Sequence, residues 1–130
     1  MNITKAFVDF MQSNGFGTFN SDLFIGGVPQ DAPNRAFWVI SAGGNSKSKN
    51  DAGEKQKNYL LNVYFRNIDG QDVYDTLQDL EELLNSANCF ELEGYEVIEI
   101  EATIFPTDQD LDMQERTIGM LQVTLTIYKD

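Results

Sequence analysis

The segment Asp108-Gln109-Asp110-Leu111-Asp112 has the aspartate spacing that opens an EF-hand calcium loop. Such a loop also needs glycine at its sixth position and a bidentate glutamate at its twelfth, where this chain has Met113 and Gly119. Without those residues the segment is typical of an exposed acidic turn, with Arg116 near enough in sequence to form a local ion pair. The sequence therefore predicts no specific metal site.

Other residue types that carry out catalysis are missing or isolated. The chain has no histidine and one cysteine, Cys89, which excludes Ser-His-Asp and Cys-His catalysis, histidine metal ligands and an intrachain disulfide. Glu99 and Glu101 share one face of a predicted strand, but the neighbouring sequence does not indicate the cleft that a hydrolytic carboxylate pair requires. We predict that the protein is not an enzyme and binds no cofactor; a small carboxylate-dependent hydrolase is the alternative that this pair leaves open.

Charge is distributed unevenly along the 130 residues. The formal net charge is −12, and residues 69–115 contain fifteen acidic residues and no lysine or arginine. Because proteins hold nucleic acid mainly through lysine and arginine, this stretch disfavours specific DNA binding. It indicates either a solvated face that keeps the protein soluble or a surface that lies near DNA, or imitates it, without binding it.

Hydrophobic periodicity predicts two helices and five strands. The predicted helices cover residues 3–12 and 71–85, the second capped by Asp69, and the predicted strands cover residues 23–25, 36–41, 57–66, 96–105 and 117–128. This order predicts a single α+β domain over residues 1–130, with a mostly antiparallel or mixed β-sheet of about five strands flanked by two amphipathic helices. The length is that of one domain.

Three local patterns refine this prediction. The apolar run 36–41, which contains Trp38, is typical of a strand buried on both faces. Tyr74 falls on the apolar face of the second helix, together with its leucines. Ile118 and Met120 are out of phase with the later apolar residues of the last strand, which predicts a β-bulge near Gly119.

Residues 42–57 are polar and contain almost no apolar side chain that would offset the entropy of ordering. We therefore predict a flexible loop at about 42–57 that becomes rigid against a partner. The segment carries Lys47, Lys49, Lys55 and Lys57 against only two acidic residues, so it is locally cationic. These four lysines are the predicted contacts with another subunit or partner.

Four pieces of the chain together resemble one family. They are GTFNSDLFIGGVPQDAP, FWVISAGGNSKSK, YLLNVYFRNIDGQDVYDTLQDLEELLN and the C-terminal IFPTDQDLDMQERTIGMLQVTLTIYKD. With the N-terminal helix before them, their order resembles the tail terminators of siphophages, also described as minor capsid or tail completion proteins. The resemblance covers nearly the whole chain.

The resemblance implies a structural virion protein that caps the phage tail tube as a ring, typically a hexamer. Such a ring stops polymerisation of the major tail tube protein and forms the interface to which a head-completion or connector protein docks, while DNA passes nearby without specific binding. It also implies a position in the tail, at the neck of the virion, after assembly in the host cytoplasm. Mutual repulsion at this charge predicts a monomer before assembly.

An acidic lumen would repel DNA phosphates and let the genome slide. The candidates to face such a lumen are the acids on exposed helix and strand faces, namely Asp72, Asp75, Asp79, Glu82, Glu99 and Glu101. The alternative hypothesis is an acidic DNA mimic that inhibits a nucleic-acid-binding enzyme, which would carry regularly spaced carboxylates across one face. We expect no contact with a membrane, no signal peptide and no membrane-spanning segment, because no apolar run has the required length.

Overall fold

The computed structural model describes residues 3–46, 55–86, 90–92, 95–105 and 116–129. These residues form two helices and six strands. The elements are α1 (Ile3–Ser13), β1 (Leu23–Ile25), β2 (Ala36–Ser46), β3 (Lys55–Asn67), α2 (Gly70–Ser86), β4 (Phe90–Leu92), β5 (Tyr95–Phe105) and β6 (Thr117–Lys129). Both predicted helices and all five predicted strands are present. The additional strand β4 has only three residues, too few for an alternating pattern to be recognised in the sequence.

The strands form one mixed sheet in the order β1-β2-β3-β6-β5-β4. β1 pairs with β2 in parallel, and every other pair of neighbours is antiparallel. This confirms the predicted α+β fold with a mostly antiparallel or mixed sheet and two amphipathic helices. The central pair, β3 and β6, stays in register from Lys55–Lys129 to Asn67–Thr117.

One face of the sheet carries the core, and both helices pack on that face. Alternate residues of β2, β3 and β6 are buried there, namely Phe37, Val39, Leu61, Val63, Phe65, Leu121, Val123, Leu125 and Ile127. α2 contacts β3, β5 and β6, whereas α1 contacts β1 and β2 at one edge and β4 at the other. The sheet therefore curls around α1, in which Phe7, Val8 and Met11 are completely buried.

Burial of residues 36–41 on both faces, as predicted, holds for Ala36, which is buried on the face away from the helices, but is wrong for the rest of the strand. Phe37 and Val39 are buried under the helices, but Trp38 and Ile40 point to the opposite face and are only partly buried. No helix of the described chain packs on that opposite face. An apolar run does not reveal this difference, because aromatic and branched side chains also suit a half-exposed sheet surface.

A bulge near Gly119, as predicted, is also wrong. The pairing of β6 with β3 runs without a register shift through Gly119, which lies opposite Phe65, and the register shift between β5 and β6 lies between Val97 and Glu99. Gly119 faces the core at the point where α2 crosses β6. A Cβ atom there would lie 2.6 Å from Leu77 Cδ1 and 2.8 Å from Val73 Cγ1.

Ile118 and Met120 therefore follow the regular alternation of β6 and lie on the face without helices. The sequence pattern looked irregular because the core-facing position between them is occupied by glycine. The absence of a side chain at Gly119 provides the space in which α2 approaches the sheet.

The hairpin of β2 and β3 extends into the segment predicted as a loop at 42–57. Gly44, Asn45 and Ser46 pair with Tyr59, Asn58 and Lys57, after a register shift that begins at Ser41. The predicted loop is therefore too long at both ends, because backbone pairing in a sheet does not require apolar side chains. Residues 47–54 lie outside the described residues, and the flexibility of this segment stays a prediction.

Candidate interaction surfaces

Asp72 lies in the first turn of α2 and accepts hydrogen bonds from three side chains. Its Oδ2 accepts from Arg35 Nε at 3.0 Å and from Asn67 Nδ2 at 2.7 Å, and its Oδ1 accepts from Thr76 Oγ1 at 3.2 Å. Partial burial raises the pKa of Asp72, but these hydrogen bonds and the Arg35 charge outweigh burial, so the pKa is lowered from its ordinary value. Asp72 thus joins α2 to the residue before β2.

The three arginines of the chain lie at one end of the sheet, where β2 and β6 begin and β3 ends. Besides its bond to Asp72, Arg35 lies over two core aromatic rings. Arg66 Nη2 donates to the Pro33 carbonyl at 2.9 Å, and Arg116 Nη1 donates to Asn34 Oδ1 at 3.5 Å. The arginines therefore fix the segment that leads into β2.

Three other acids form an exposed ridge along α2, and we call Asp75, Asp79 and Glu82 the acidic ridge. Asp75 and Asp79 are four residues apart and Glu82 follows three residues later, so all three lie on one side of the helix. Gln71 Nε2 donates to Asp75 Oδ1 at 2.9 Å. Within the described part of the chain, no lysine or arginine forms an ion pair with these carboxylates.

Next to the acidic ridge, the flank of α2 that carries Glu81 and Asn85 forms hydrogen bonds with the free edge of β5. β4 pairs with β5 only at Tyr95–Val97, so the rest of this edge has no partner strand within the described sheet. Asn85 Nδ2 donates to Ala102 O at 3.2 Å, its Oδ1 accepts from Ala102 N at 3.1 Å, and Glu81 Oε2 accepts from Ile104 N at 3.1 Å. Side chains of α2 thus form hydrogen bonds with backbone groups of β5 that could otherwise pair with another strand.

Tyr74 lies on the same flank and is 56% exposed, so its predicted place on the buried face of α2 is wrong. With Gln78, Glu81 and Ile104 it lines an open depression of about 280 Å³. Thr76, two residues further along α2, is buried instead of Tyr74. When an aromatic residue lies at the margin of the apolar stripe of a helix, its type alone does not indicate whether it faces the core or the solvent.

Glu99 and Glu101 are exposed on the sheet face opposite both helices, in register with Thr126 and Thr124 of β6. The acidic ridge lies beyond the other face of the sheet. The structure therefore divides the six predicted lumen acids among three places: the Asp72 junction, the acidic ridge and this strand pair. It does not bring them together as one surface.

The sheet face that carries Glu99 and Glu101 also carries an apolar patch. The rings of Trp38 and Tyr64 are stacked, with centroids 5.3 Å apart and 9° between their planes. Tyr64 lies opposite Met120 of β6, and Ile40 follows Trp38 on the same face of β2. All four side chains are only partly buried. We call these four residues with Glu99 and Glu101 the open face.

Of the predicted interface lysines, Lys47 and Lys49 lie outside the described residues. Lys55 and Lys57 belong to β3, and the register of the sheet places Lys55 opposite Lys129 of β6. Lys129 thus joins this end of the hairpin, a grouping that sequence analysis missed because Lys129 is far away along the chain. The arginines lie at the other end of β3.

The described residues contain neither a candidate metal site nor a candidate membrane-spanning helix. No group of three or more histidine, cysteine, aspartate or glutamate side chains in these ranges is arranged to hold a metal ion. Neither α1 nor α2 is long and apolar enough to cross a membrane. The acidic turn 108–112 and Cys89 lie outside the described residues.

Comparison with protein families gives a match over residues 10–129 to the family described as bacteriophage tail terminator protein. The chain belongs to the phage tail terminator family. This confirms the resemblance found in the sequence. No curated protein matches the chain.

A tail terminator is a structural component of the phage tail and takes part in virion assembly. Its family implies that this protein interacts with other tail and head proteins, and the family is not one of enzymes. The surfaces described above are therefore candidates for contacts with other proteins of the virion.

Proposed function

We propose that this tail terminator caps the tail tube as a hexameric ring at the end nearest the head, the neck of the virion. The ring stops polymerisation of the major tail tube protein and presents the surface to which a head-completion or connector protein docks. The observation that carries this proposal is the family match over residues 10–129, which includes α2 and all six strands. Before assembly the protein is a monomer in the host cytoplasm, because its charge of −12 opposes self-association.

The acidic ridge is the surface that we place toward the lumen. Its three carboxylates are exposed, and no base of the described chain neutralises them, so a ring would repeat them around the passage. Such a ring repels DNA phosphates and lets the genome slide past without specific binding. Asp72 contributes less, because it is engaged by Arg35. Glu99 and Glu101 lie on the other side of the sheet.

Ring closure requires two different surfaces on each subunit that fit each other. We propose the lysine-bearing segment, with Lys47, Lys49, Lys55 and Lys57, as one of them. Its positive charge complements an acidic surface of the next subunit and would guide assembly. A head-to-tail contact of this kind, repeated with rotation, gives a closed ring.

The alternative of a DNA-mimic inhibitor is not favoured by the arrangement of carboxylates. A mimic has to present regularly spaced negative charges across one face. Here three of the six candidate lumen acids form the ridge on α2, two lie on β5 across the sheet, and Asp72 is bound to Arg35.

The test is polymerisation of the major tail tube protein with and without this protein, followed by negative-stain electron microscopy. We expect shorter tubes of uniform length, with a ring of additional density at one end. A heat-unfolded sample of the same protein is the control and should leave tube growth unchanged. Tubes that grow uncapped while the native protein stays monomeric and unbound would refute the proposal.

A further inference from the structure

We infer that the depression between α2 and β5 binds an arginine side chain of another virion protein. We call the depression lined by Tyr74, Gln78, Glu81 and Ile104 the flank depression. The inference rests on the proposed role in joining tail and head proteins, and it names the chemistry by which one such partner is recognised. It does not depend on the number of subunits in a ring.

One side of α2 provides most of the lining of the flank depression. Tyr74 and Gln78 are four residues apart and Glu81 follows three residues later, so all three lie along the flank that faces β5. Tyr74 is exposed although its ring is large, and Ile104 of β5 is partly buried on the opposite side. The lining thus combines an aromatic ring, an amide, a carboxylate and one aliphatic side chain.

The backbone of β5 holds the carboxylate of Glu81 in place. Its Oε2 accepts the hydrogen bond from Ile104 N at 3.1 Å, which fixes the orientation of the group. An ionised carboxylate can accept about four hydrogen bonds, so Glu81 retains capacity for a donor that enters the depression. Because the side chain is already ordered, binding such a donor costs little additional conformational entropy.

The size of the flank depression fits a single side chain. Its volume is about 280 Å³, below the range of roughly 300–1,000 Å³ that is usual for small-molecule sites. The depression is open to solvent along α2. A segment of another protein can therefore lie on the surface of the helix and insert one side chain.

Charge and shape together select an arginine for this position. The acidic ridge runs beside the depression, Glu81 lines it, and residues 69–115 contain no lysine or arginine. A guanidinium is planar and carries five N–H donors, so it can stack on the Tyr74 ring and donate to both Glu81 and the amide oxygen of Gln78. A lysine ammonium is a strongly hydrated point charge and does not stack flat on a ring.

The arginine has to come from a different protein, because all three arginines of this chain are engaged in its own fold. Arg35 binds Asp72, and Arg66 is buried. Arg116 donates to Asn34. A second copy would have to give up one of these contacts in order to offer an arginine. Other tail and head proteins, which the family implies as partners, are the source that remains.

The first test titrates the protein with N-acetyl-arginine amide and follows the Tyr74 ring, the Gln78 side-chain amide and the Ile104 methyl groups by NMR. We expect saturable shifts with a Kd of about 1–10 mM, as for a small ligand on an open site. N-acetyl-citrulline amide has nearly the same shape without the charge and should bind at least about tenfold more weakly.

Three outcomes of this titration would overturn the inference. Equal binding of the arginine and citrulline compounds would show that charge is not recognised. Equal binding of N-acetyl-lysine amide would refute the choice of arginine. Absence of saturable shifts at the side chains that line the depression would refute the site itself.

Matched variants test the lining side chains. Tyr74→Leu removes the ring, and Glu81→Gln removes the charge but keeps an oxygen that can accept from Ile104 N. We expect each change to raise the Kd at least about threefold. Tyr74→Phe keeps the ring, and Asp79→Asn removes a charge outside the depression, so both should bind like wild type. Circular dichroism confirms that each variant is folded.

Wild-type affinity in Tyr74→Leu or in Glu81→Gln would contradict the inference. An equal effect of Asp79→Asn and Glu81→Gln would contradict it as well, because it would show that the acidic surface attracts arginine without a defined site.

Photocrosslinking in assembled virions identifies the partner. Benzoylphenylalanine at position 71, one turn before Tyr74 on α2, leaves the lining of the depression unchanged. We expect a crosslink to an arginine-bearing segment of another tail or head protein. Absence of a crosslink, or crosslinks confined to copies of this chain, would overturn the inference.

These measurements also separate the inference from the proposed function. If the wild-type protein failed to cap tubes but the crosslink to an arginine-bearing segment formed, the proposed function would fall and the inference would stand. If capping was normal but the arginine and citrulline compounds bound alike, the inference would fall and the proposed function would stand.

Discussion

Asp72 connects three parts of the fold at the start of α2, through Arg35, Asn67 and Thr76. Because the folded state lowers the pKa of this carboxyl, the ionised form stabilises the fold. That contribution is complete above the ordinary pKa of aspartate and is lost as the pH falls through the lower pKa of the folded state. Protonation of Asp72 is therefore one step in the acid unfolding of this protein.

We expect Asp72→Asn to lower the free energy of unfolding at pH 7 by about 1 kcal/mol, since the lost charge-assisted bonds are partly exposed. The difference from wild type should shrink as the pH falls below about 4, because the wild-type carboxyl then becomes neutral as well. Urea unfolding at a series of pH values measures both effects. Asp79→Asn, an exposed site on the same helix, should show neither. A difference that stays constant from pH 7 to pH 2 would contradict this account.

Gly119 determines how closely α2 approaches the sheet. We expect Gly119→Ala to destabilise the protein by about 1–3 kcal/mol, because the added methyl group would overlap Leu77 and Val73 in the core. Gly27→Ala is the matched control: no atom lies within 4 Å of its Cβ position, and its stability should be unchanged or slightly raised. Thermal unfolding of both variants provides the comparison. Equal stability of Gly119→Ala and wild type would show that α2 can shift without cost.

At the level of elements, α2 has two functions that its sequence does not separate. Its apolar stripe buries Val73, Leu77, Leu80 and Leu84, and its flank protects the edge of β5 through Glu81 and Asn85. An unprotected edge can pair with strands of other chains. In a protein of the phage tail, which has to contact other tail proteins in a defined way, a protected edge prevents one route to uncontrolled association.

Asn85→Ala should remove both hydrogen bonds to Ala102 and lower the free energy of unfolding by about 1–2 kcal/mol. We expect faster hydrogen exchange at the Ala102 amide, measured by NMR, while core amides of β6 stay protected. Gln78→Ala, on the same flank but without a bond to β5 in the described structure, should leave exchange at Ala102 unchanged. Unaltered exchange in Asn85→Ala would mean that this bond does not protect the edge.

Periodicity in the sequence was sufficient for α1, α2 and the long strands β3, β5 and β6, because each buries a regular series of apolar residues. It was not sufficient for β4, which is too short, or for Trp38 and Gly119, whose environment depends on where the helices pack. Side chains such as Asn85 and Glu81 bind backbone groups of another element. Which groups they bind depends on tertiary structure that no local pattern encodes.

For the molecule as a whole, the sequence identified a cationic segment and an excess of acids, and the fold decided how the acids are grouped. Periodicity placed Glu99 and Glu101 on one face of a strand and Asp75 and Asp79 on one face of a helix. Only the packing of α2 on the core side of the sheet shows that the two groups point away from each other. The division suits the ring proposed above, in which each subunit meets both protein and DNA.

The lumen proposal predicts a phenotype in the assembled virion. Asp75→Lys combined with Asp79→Lys should leave the fold and tube capping intact, but DNA passage should be impaired, because the lumen then attracts phosphates. In virions reconstituted with this chain we expect the titre to fall by at least about tenfold. Asp75→Asn with Asp79→Asn should have a smaller effect. Unchanged infectivity of the lysine chain would count against an acidic lumen.

Trp38 is the only tryptophan of the chain, and it belongs to the open face. Its intrinsic fluorescence therefore reports on a single spot of the surface, with no background from an indole in the interior. Covering that spot removes water from the ring and shifts the emission toward the blue. The native chain thus carries its own optical reporter of contacts at this face, which needs no attached dye.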